Sequence, residues 1–153
     1  MPSSPVAPGR LFRASAPGAV YRQRFRPAEA GLSWLDCGEH HLPPGAGTQP
    51  LVLPDRECLL FLWKGAAVAE LPSARFELEH YDVLYVPRGC SFRLDNPGAE
   101  PACVIQCSAA AENVHPVFHA RFSELSQRED RIRRMKGKDV YLMFDVSEPA
   151  DKL

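Results

Sequence analysis

The sequence has no long hydrophobic run and no large excess of either charge, and these two absences narrow the class of protein. No apolar segment approaches the roughly 18 residues that a membrane-spanning helix needs, so a membrane protein is not expected. The 18 basic and 19 acidic residues leave a formal net charge of −1. Such a balance argues against a dedicated binder of nucleic acid or of anionic membranes.

The N-terminus lacks the apolar core of a secretory signal, and the cysteines lack a disulfide-like pattern. Residues 1–18, MPSSPVAPGRLFRASAPG, contain no sufficiently long apolar stretch. The five cysteines are odd in number and form no Cys-x-x-Cys pair, while Cys58 and Cys103 lie inside apolar runs. These features favour free thiols in a reducing compartment, and we expect a cytoplasmic protein.

Common catalytic signatures are absent as well. The sequence contains no GxSxG nucleophile elbow, no phosphate-binding P-loop and no GxGxxG dinucleotide motif. The basic residues between Arg131 and Lys138 are accompanied by Glu129 and Asp130, which is typical of a solvated connector rather than of a nucleic-acid patch. The function must therefore be sought in the fold and in individual side chains.

What the sequence does contain is a regular alternation of short apolar runs and turns. The chain of 153 residues suffices for one domain, and its 15 prolines disfavour a helical bundle. Runs such as CLLFLW (58–63) and VLYV (83–86) are separated by turn signals such as Pro87-Arg88-Gly89. A spacing of roughly 8–12 residues between turns predicts an all-β sandwich or barrel.

The last third of the chain differs in composition from the rest. Residues 126–139 are highly charged, and Ser126 and Glu129 have the spacing of a helix-capping box. We expect a short helix or charged connector here, followed by a final strand over residues 140–146. The predicted organisation is an N-terminal arm (1–30), a barrel (31–121) and a connector with its strand (122–153).

Two segments carry a resemblance to a known superfamily. In YDVLYVPRGCSFRLDNPG (81–98), Pro87, Gly89 and Asn96 occupy the positions of the second cupin motif, and RECLLFLWKG (56–65) corresponds to the first. Over roughly residues 31–107 the chain resembles the cupins. This resemblance implies a jelly-roll-like β-barrel of the cupin type.

The metal ligands of those motifs are missing. Phe92 stands where the second motif has its histidine, and no histidine occurs between His41 and His80, where the paired histidines of the first motif belong. Depending on the register, Glu57 or Cys58 takes the remaining ligand position. Since a catalytic metal needs at least three protein ligands, we expect no metal and no other cofactor. The prediction is a pocket lined by Glu57, Cys58 and Phe92.

His40 and His41 are the candidate catalytic residues, although nothing in the sequence assigns a role to either. Adjacent residues of a strand point to opposite faces, so one of the two faces the barrel. The strand that carries them leads into LPPGAG, which we expect at the barrel mouth. We interpret His80, His115 and His119 as structural or surface residues.

A closer resemblance is to the uronate ketol-isomerases, which include 5-deoxyglucuronate isomerase of inositol catabolism. Three segments carry it: AGLSWLDCGEHHLPPGAG (30–47), CLLFLWKGAAVAEL (58–71) after Arg56-Glu57, and LYVPRG (84–89) with CSAAAENVHP (107–116). The resemblance implies a two-cupin protein in which the second cupin binds a divalent metal and interconverts an aldehyde and a ketone through an enediol. This chain corresponds to the metal-free first cupin and would be inactive alone.

Three functions are open at this point. The chain is the metal-free half of a sugar-acid aldose–ketose isomerase or a shortened relative, or a non-catalytic cupin that binds a small molecule or dimerises. The third option is a metal-independent enzyme with His40 or His41 as general base. In each case the expected partners are a sugar acid or another small molecule and a second copy of the chain, paired through the barrel with Trp34 at the interface.

Overall fold

The computed structural model describes residues 18–25, 31, 34–144, 148–151 and 153. Most of the predicted N-terminal arm lies outside the described residues. Within this arm, Val20–Phe25 form a strand that pairs with Asp36–Leu42. Among the described residues, no helix has the length and apolar character needed to cross a membrane.

Nearly all the regular secondary structure of the described residues is β-strand. The strands are β1 (Val20–Phe25), β2 (Asp36–Leu42), β3 (Leu51–Val52), β4 (Arg56–Lys64), β5 (Ala67–Glu70), β6 (Arg75–Leu78), β7 (Val83–Val86), β8 (Ser91–Asp95), β9 (Ala102–Ala110), β10 (Phe118–Ala120), β11 (Ile132–Met135) and β12 (Lys138–Tyr141). A four-residue helix, α1 (Phe122–Leu125), and a 3-10 turn (Glu129–Arg131) join β10 to β11. The predicted all-β fold class is confirmed.

Two antiparallel sheets form the barrel. The larger sheet has the order β1-β2-β9-β4-β7-β10, and the smaller has the order β3-β8-β5-β6. The longest ladders place β9 between β2 and β4, with His40 opposite Val104 and Leu60 opposite Gln106. A separate hairpin is formed by β11 and β12.

Side chains alternate along β4, and this alternation separates two packed regions. Leu60 and Leu62 point into the barrel and are fully buried in the main core. Leu59 and Phe61 point outward and pack against a second cluster beside α1. A strand covered on both sides explains why CLLFLW is apolar at every position.

Phe92 lies on β8, and its ring is only 1% exposed. It belongs to the main core inside the barrel, as expected from its place in the second motif. The phenyl ring thus occupies barrel space at the position of the missing histidine.

The loops at one end of the barrel are joined by Asn96. Its side-chain amide donates to the carbonyl oxygens of Leu42 (2.9 Å) and Glu100 (2.7 Å), and its Oδ1 accepts from the amide of Gly98. The backbone of Asn96 also bonds to Gly45 and to Ala46. A buried amide satisfied in this way ties the end of β2 to the β8–β9 turn.

Gly65 permits the close approach of two strands nearby. It has a φ of 78°, and an added Cβ would lie 2.7 Å from the Pro101 carbonyl oxygen. Any other residue here would force β4 and β9 apart.

The charged segment after α1 is a hairpin, so of the two expected forms, a short helix or a charged connector, the structure has the connector. Ser126 ends α1 instead of starting a helix, and Ile132–Met135 pairs with Lys138–Tyr141 across a two-residue loop. Gly137 in this loop has a φ of 81°, a conformation that disfavours a helix and suits a tight turn. The final strand starts and ends earlier than the predicted 140–146, of which residues 145 and 146 lie outside the described chain.

Asp82 fastens β10 and α1 to the barrel. Its carboxylate accepts hydrogen bonds from the amides of Glu79 and Phe122 and lies 3.1 Å from His119 Nε2. Burial works to raise the pKa of Asp82, but the bonds from His119 and the two amides outweigh it and hold the pKa below its usual value. His119 therefore makes a structural contact, in agreement with its interpretation from the sequence.

Phe92→Ala tests the packing of the barrel interior. Removal of a large buried ring leaves a cavity, so we expect a loss of about 3–5 kcal/mol in the free energy of unfolding. Urea unfolding measures it, with Val114→Ala as the control at a position that is 71% exposed. A loss below about 1 kcal/mol, typical of surface positions, would contradict the assigned orientation of the ring.

Candidate functional site

A cavity of about 570 Å³ opens between the inner faces of β1, β2, β9 and β4 and the segment before β4. This volume is in the range of small-molecule sites. Apolar side chains, including Phe92, Leu51 and Leu53, form part of its wall. Polar side chains form the rest, among them Gln23, Asp36, His40, Thr48, Arg56, Gln106 and Ser108.

His40 and Gln106 form a buried polar pair in this cavity. His40 Nε2 lies 2.8 Å from Gln106 Oε1 across the β2–β9 ladder. Since an amide oxygen only accepts hydrogen bonds, Nε2 carries the proton and Nδ1 keeps its lone pair. Burial lowers the pKa of His40, the bond to Gln106 acts in the opposite direction, and the neighbouring His41 lowers the pKa further. His40 is therefore neutral near pH 7 and can accept a proton or a hydrogen bond.

Tyr21 of β1 packs over His40, with ring centroids 4.7 Å apart. This packing requires a glycine at position 38, because an added Cβ there would overlap the Tyr21 ring. Burial, followed by the charge of Asp36, raises the pKa of the Tyr21 phenol. The phenol thus remains a hydrogen-bond donor at the cavity wall.

Arg56 presents a guanidinium group at the cavity wall. Its Nε donates to Ser108 Oγ (3.0 Å), and its Nη2 donates to the carbonyl oxygens of Ser108 (2.7 Å) and Trp34 (3.2 Å). All these acceptors are neutral, and within the described chain no carboxylate forms an ion pair with Arg56. A cation oriented by neutral groups in a cavity is suited to an anionic ligand.

The structure separates the two candidate histidines as the strand alternation predicts. His40 lines the cavity, whereas His41 lies on the outer face, with its Nε2 2.9 Å from Glu39 Oε2. Between the two, only His40 can act on a molecule in the barrel.

Of the three predicted pocket residues, Phe92 alone lines the cavity. Cys58 faces the barrel interior but is buried in the packed core, and burial raises the pKa of its thiol. Glu57 is 0% exposed and lies on the opposite face of β4, so the expectation that it lines the pocket is corrected. The period of two along the strand sends Arg56, and not Glu57, towards the cavity.

Glu57 instead holds the C-terminal segment against the barrel. Its Oε2 accepts a hydrogen bond of 2.8 Å from Tyr85 Oη, and its carboxylate also accepts from the backbone amides of Asp151 and Leu153. Burial and the bond to Glu57 raise the pKa of Tyr85. The Asp151 side chain in turn binds the 112–115 loop, including His115 at 2.7 Å, which gives this histidine a structural contact too.

The donor set of the cavity does not fit a catalytic metal. Among the described lining residues, His40 and Asp36 have the side-chain types that usually bind a divalent ion. Two such groups are fewer than the three that a catalytic zinc site requires.

Sequence reasoning missed Arg56, Gln106 and Ser108 as site residues. Gln106 could have been recognised as a candidate, because it is a polar residue within the apolar run ACVIQC. Arg56 and Ser108 lie 52 positions apart, and their contact depends on the β4–β9 register.

Comparisons with solved structures show many similar barrels. The chain resembles protein Ylba from E. coli (22% identity, TM-score 0.62), with 75% of this chain and 50% of that chain covered. It also resembles the Cnp3 cupin domain of Schizosaccharomyces pombe (18%, TM-score 0.53), with 59% and 63% covered. It also resembles a cupin domain from Bordetella pertussis (18% identity, TM-score 0.52), with 65% of this chain and 100% of that chain covered. The chain has the cupin fold.

At these identities the likeness concerns the cupin fold alone. The chain spans about half the length of the E. coli protein and under two thirds of the S. pombe chain. A scan against protein-family models finds no match. A search of curated proteins finds no similar sequence either. Any activity must therefore be argued from the cavity of this cupin barrel.

The lowered pKa of His40 predicts a pH-dependent stability. The folded state binds fewer protons than the unfolded state below the ordinary histidine pKa of about 6.5, so stability is lost as the pH falls below that value. When the pH is lowered from about 7 to about 5, we expect the free energy of unfolding to decrease less for His40→Gln than for the wild type. Urea unfolding at several pH values measures this, and parallel profiles for the two proteins would rule out the effect.

Proposed function

We propose that this chain is a cupin module that binds a small, polyhydroxylated carboxylic acid in its barrel and does so without a barrel metal. The observation that carries the proposal is the Arg56 guanidinium, which lines the cavity and whose hydrogen-bond partners among the described residues are all neutral. A carboxylate is the ligand group that this cation would pair with most strongly.

The rest of the cavity suits the hydroxyl groups of such a ligand. Neutral His40 offers the Nδ1 lone pair, Thr48 and Ser108 offer hydroxyls, and Asp36 accepts hydrogen bonds. The apolar wall around Phe92 suits the C–H faces of a sugar. One cation, one carboxylate and several neutral donors and acceptors favour a sugar acid over a phosphate or an apolar molecule.

The narrower form of the proposal is the metal-free half of a sugar-acid aldose–ketose isomerase. It is supported by the sequence resemblance. The E. coli neighbour, of which this chain covers 50%, supports only the part that the chain is one module of a longer protein. Enediol formation needs a Lewis acid or a paired acid and base. The resemblance assigns the metal and its ligands to the second cupin, and we therefore expect no isomerase activity from this chain alone.

The alternative is a non-catalytic module that binds its ligand or pairs with a second copy. Trp34 and Trp63 are 55% and 51% exposed and provide apolar surface for a homo-oligomer through the barrel. Reading the gene past the codon for Leu153 separates the two forms. Continuation into a second cupin with its histidine and glutamate ligands supports the isomerase half, and a stop codon supports the single module.

Arg56→Gln tests the proposed carboxylate site. Loss of a charge-assisted hydrogen bond costs about 1.5–3 kcal/mol, so binding of D-glucuronate should weaken by roughly 10- to 100-fold. Isothermal titration calorimetry measures the affinity, and Arg75→Gln, at an exposed position of β6, is the matched control.

Two further titrations test the role of the carboxylate and the independence of metal. D-Glucose, which lacks the carboxylate, should bind the wild type weakly and should be insensitive to Arg56→Gln. A chelator should leave the binding of D-glucuronate unchanged. Equal affinities of wild type and Arg56→Gln for D-glucuronate would refute the site, and loss of binding on chelation would refute its independence of metal.

A further inference from the structure

The outer face of β2 and β9, which is turned away from the cavity, brings together Glu39, His41 and Cys103. Glu39 and His41 are two positions apart on β2 and therefore share one face. Cys103 lies on β9 directly opposite His41 in the ladder. Its neighbours Ala102 and Val104 point into the core, so its own side chain points outward.

The potential ligand atoms of this cluster are close together. The imidazole nitrogen, the carboxylate oxygen and the Sγ atom all lie within 4.8 Å of one another. His41 Nε2 and Glu39 Oε2 are 2.9 Å apart. In a tetrahedral zinc site with bonds of about 2.0–2.3 Å, neighbouring ligand atoms lie about 3.3–3.7 Å apart. The limit of 4.8 Å exceeds this range by about 1 Å, so the side chains must move closer together to share one ion.

We infer that Glu39, His41 and Cys103 form a zinc-binding site on the outside of the barrel. A thiolate, an imidazole and a carboxylate together favour Zn²⁺ over Mg²⁺ or Ca²⁺, which prefer oxygen ligands only. Three protein ligands leave a fourth position for water. On binding, the Cys103 thiol gives its proton to solvent and the thiolate bonds to the ion.

Two cations, Arg24 and Lys64, lie beside the cluster and influence how it binds a metal. Arg24 Nη2 lies 2.6 Å from Glu39 Oε2, and Lys64 pairs with Cys103 in the β4–β9 ladder. Both positive charges favour the Cys103 thiolate, although burial and Glu39 raise the pKa of this thiol above its usual value. Arg24 also competes with the metal for Glu39. Its removal should therefore strengthen metal binding, an effect that a merely structural ion pair would not produce.

This inference departs from the expectation that the chain binds no metal, which was derived from the ligand positions inside the barrel. It is independent of the proposed carboxylate site, because none of its three ligands lines the cavity. Failure of one proposal would leave the other intact.

Cobalt and zinc titrations of tag-free, reduced protein test the site. Cobalt bound to a cysteine gives a thiolate-to-metal charge-transfer absorption, and zinc should displace it at one equivalent per chain. We expect Cys103→Ser to abolish this absorption. His41→Gln should weaken binding at least tenfold, and Arg24→Gln should strengthen it.

The remaining cysteines provide the controls. Cys90→Ser, which replaces a half-buried thiol beside β8, should bind cobalt like the wild type. Cys37 and Cys107 form a close thiol pair, with Sγ atoms 3.6 Å apart. A variant with serine at both positions checks that these two thiols are not the metal ligands. Far-UV circular dichroism and urea unfolding establish that each variant is folded.

Three results would overturn the inference. The first is the absence of a thiolate–cobalt absorption in the wild type. The second is an absorption that persists in folded Cys103→Ser or disappears in the Cys37 and Cys107 double variant. The third is an affinity that is unchanged in both His41→Gln and Arg24→Gln.

Discussion

The register of β9 between β2 and β4 is the constraint on which both faces of this barrel depend. It sets Gln106 against His40 on the inner face and Cys103 against His41 on the outer face. A slip of one residue would turn every inward side chain outward. The cavity and the outer cluster would then be lost together, since they are two faces of the same ladder.

The fold could be predicted because its determinants are local. The turn at Pro87-Arg88-Gly89 and the motif position of Asn96 were recognisable from short segments. The structure of the charged segment was harder to predict, because its capping-box spacing and its apolar pattern fit a helix as well as a hairpin. The glycine at position 137 and the pairing of Ile132–Met135 with Lys138–Tyr141 decided in favour of the hairpin.

The candidate site could be predicted only in part, for a different reason. Strand alternation was enough to show that only one of His40 and His41 faces the barrel. It could not place Glu57, because the sequence left the register of β4 open by one residue. Arg56 and Ser108 meet across 52 positions of sequence, and no local pattern predicts such a contact.

Glu57 has a consequence for how the sequence of this protein can vary. It holds the C-terminal segment through the backbone amides of Asp151 and Leu153, and not through their side chains. Every residue except proline carries such an amide. The docking of this segment onto Glu57 is therefore indifferent to side-chain identity at residues 151 and 153. Residue 151 is also constrained by the bonds of its own carboxylate to the 112–115 loop. Relatives of this protein could therefore diverge freely at residue 153 while keeping the same contact, provided that the buried carboxylate on β4 is retained.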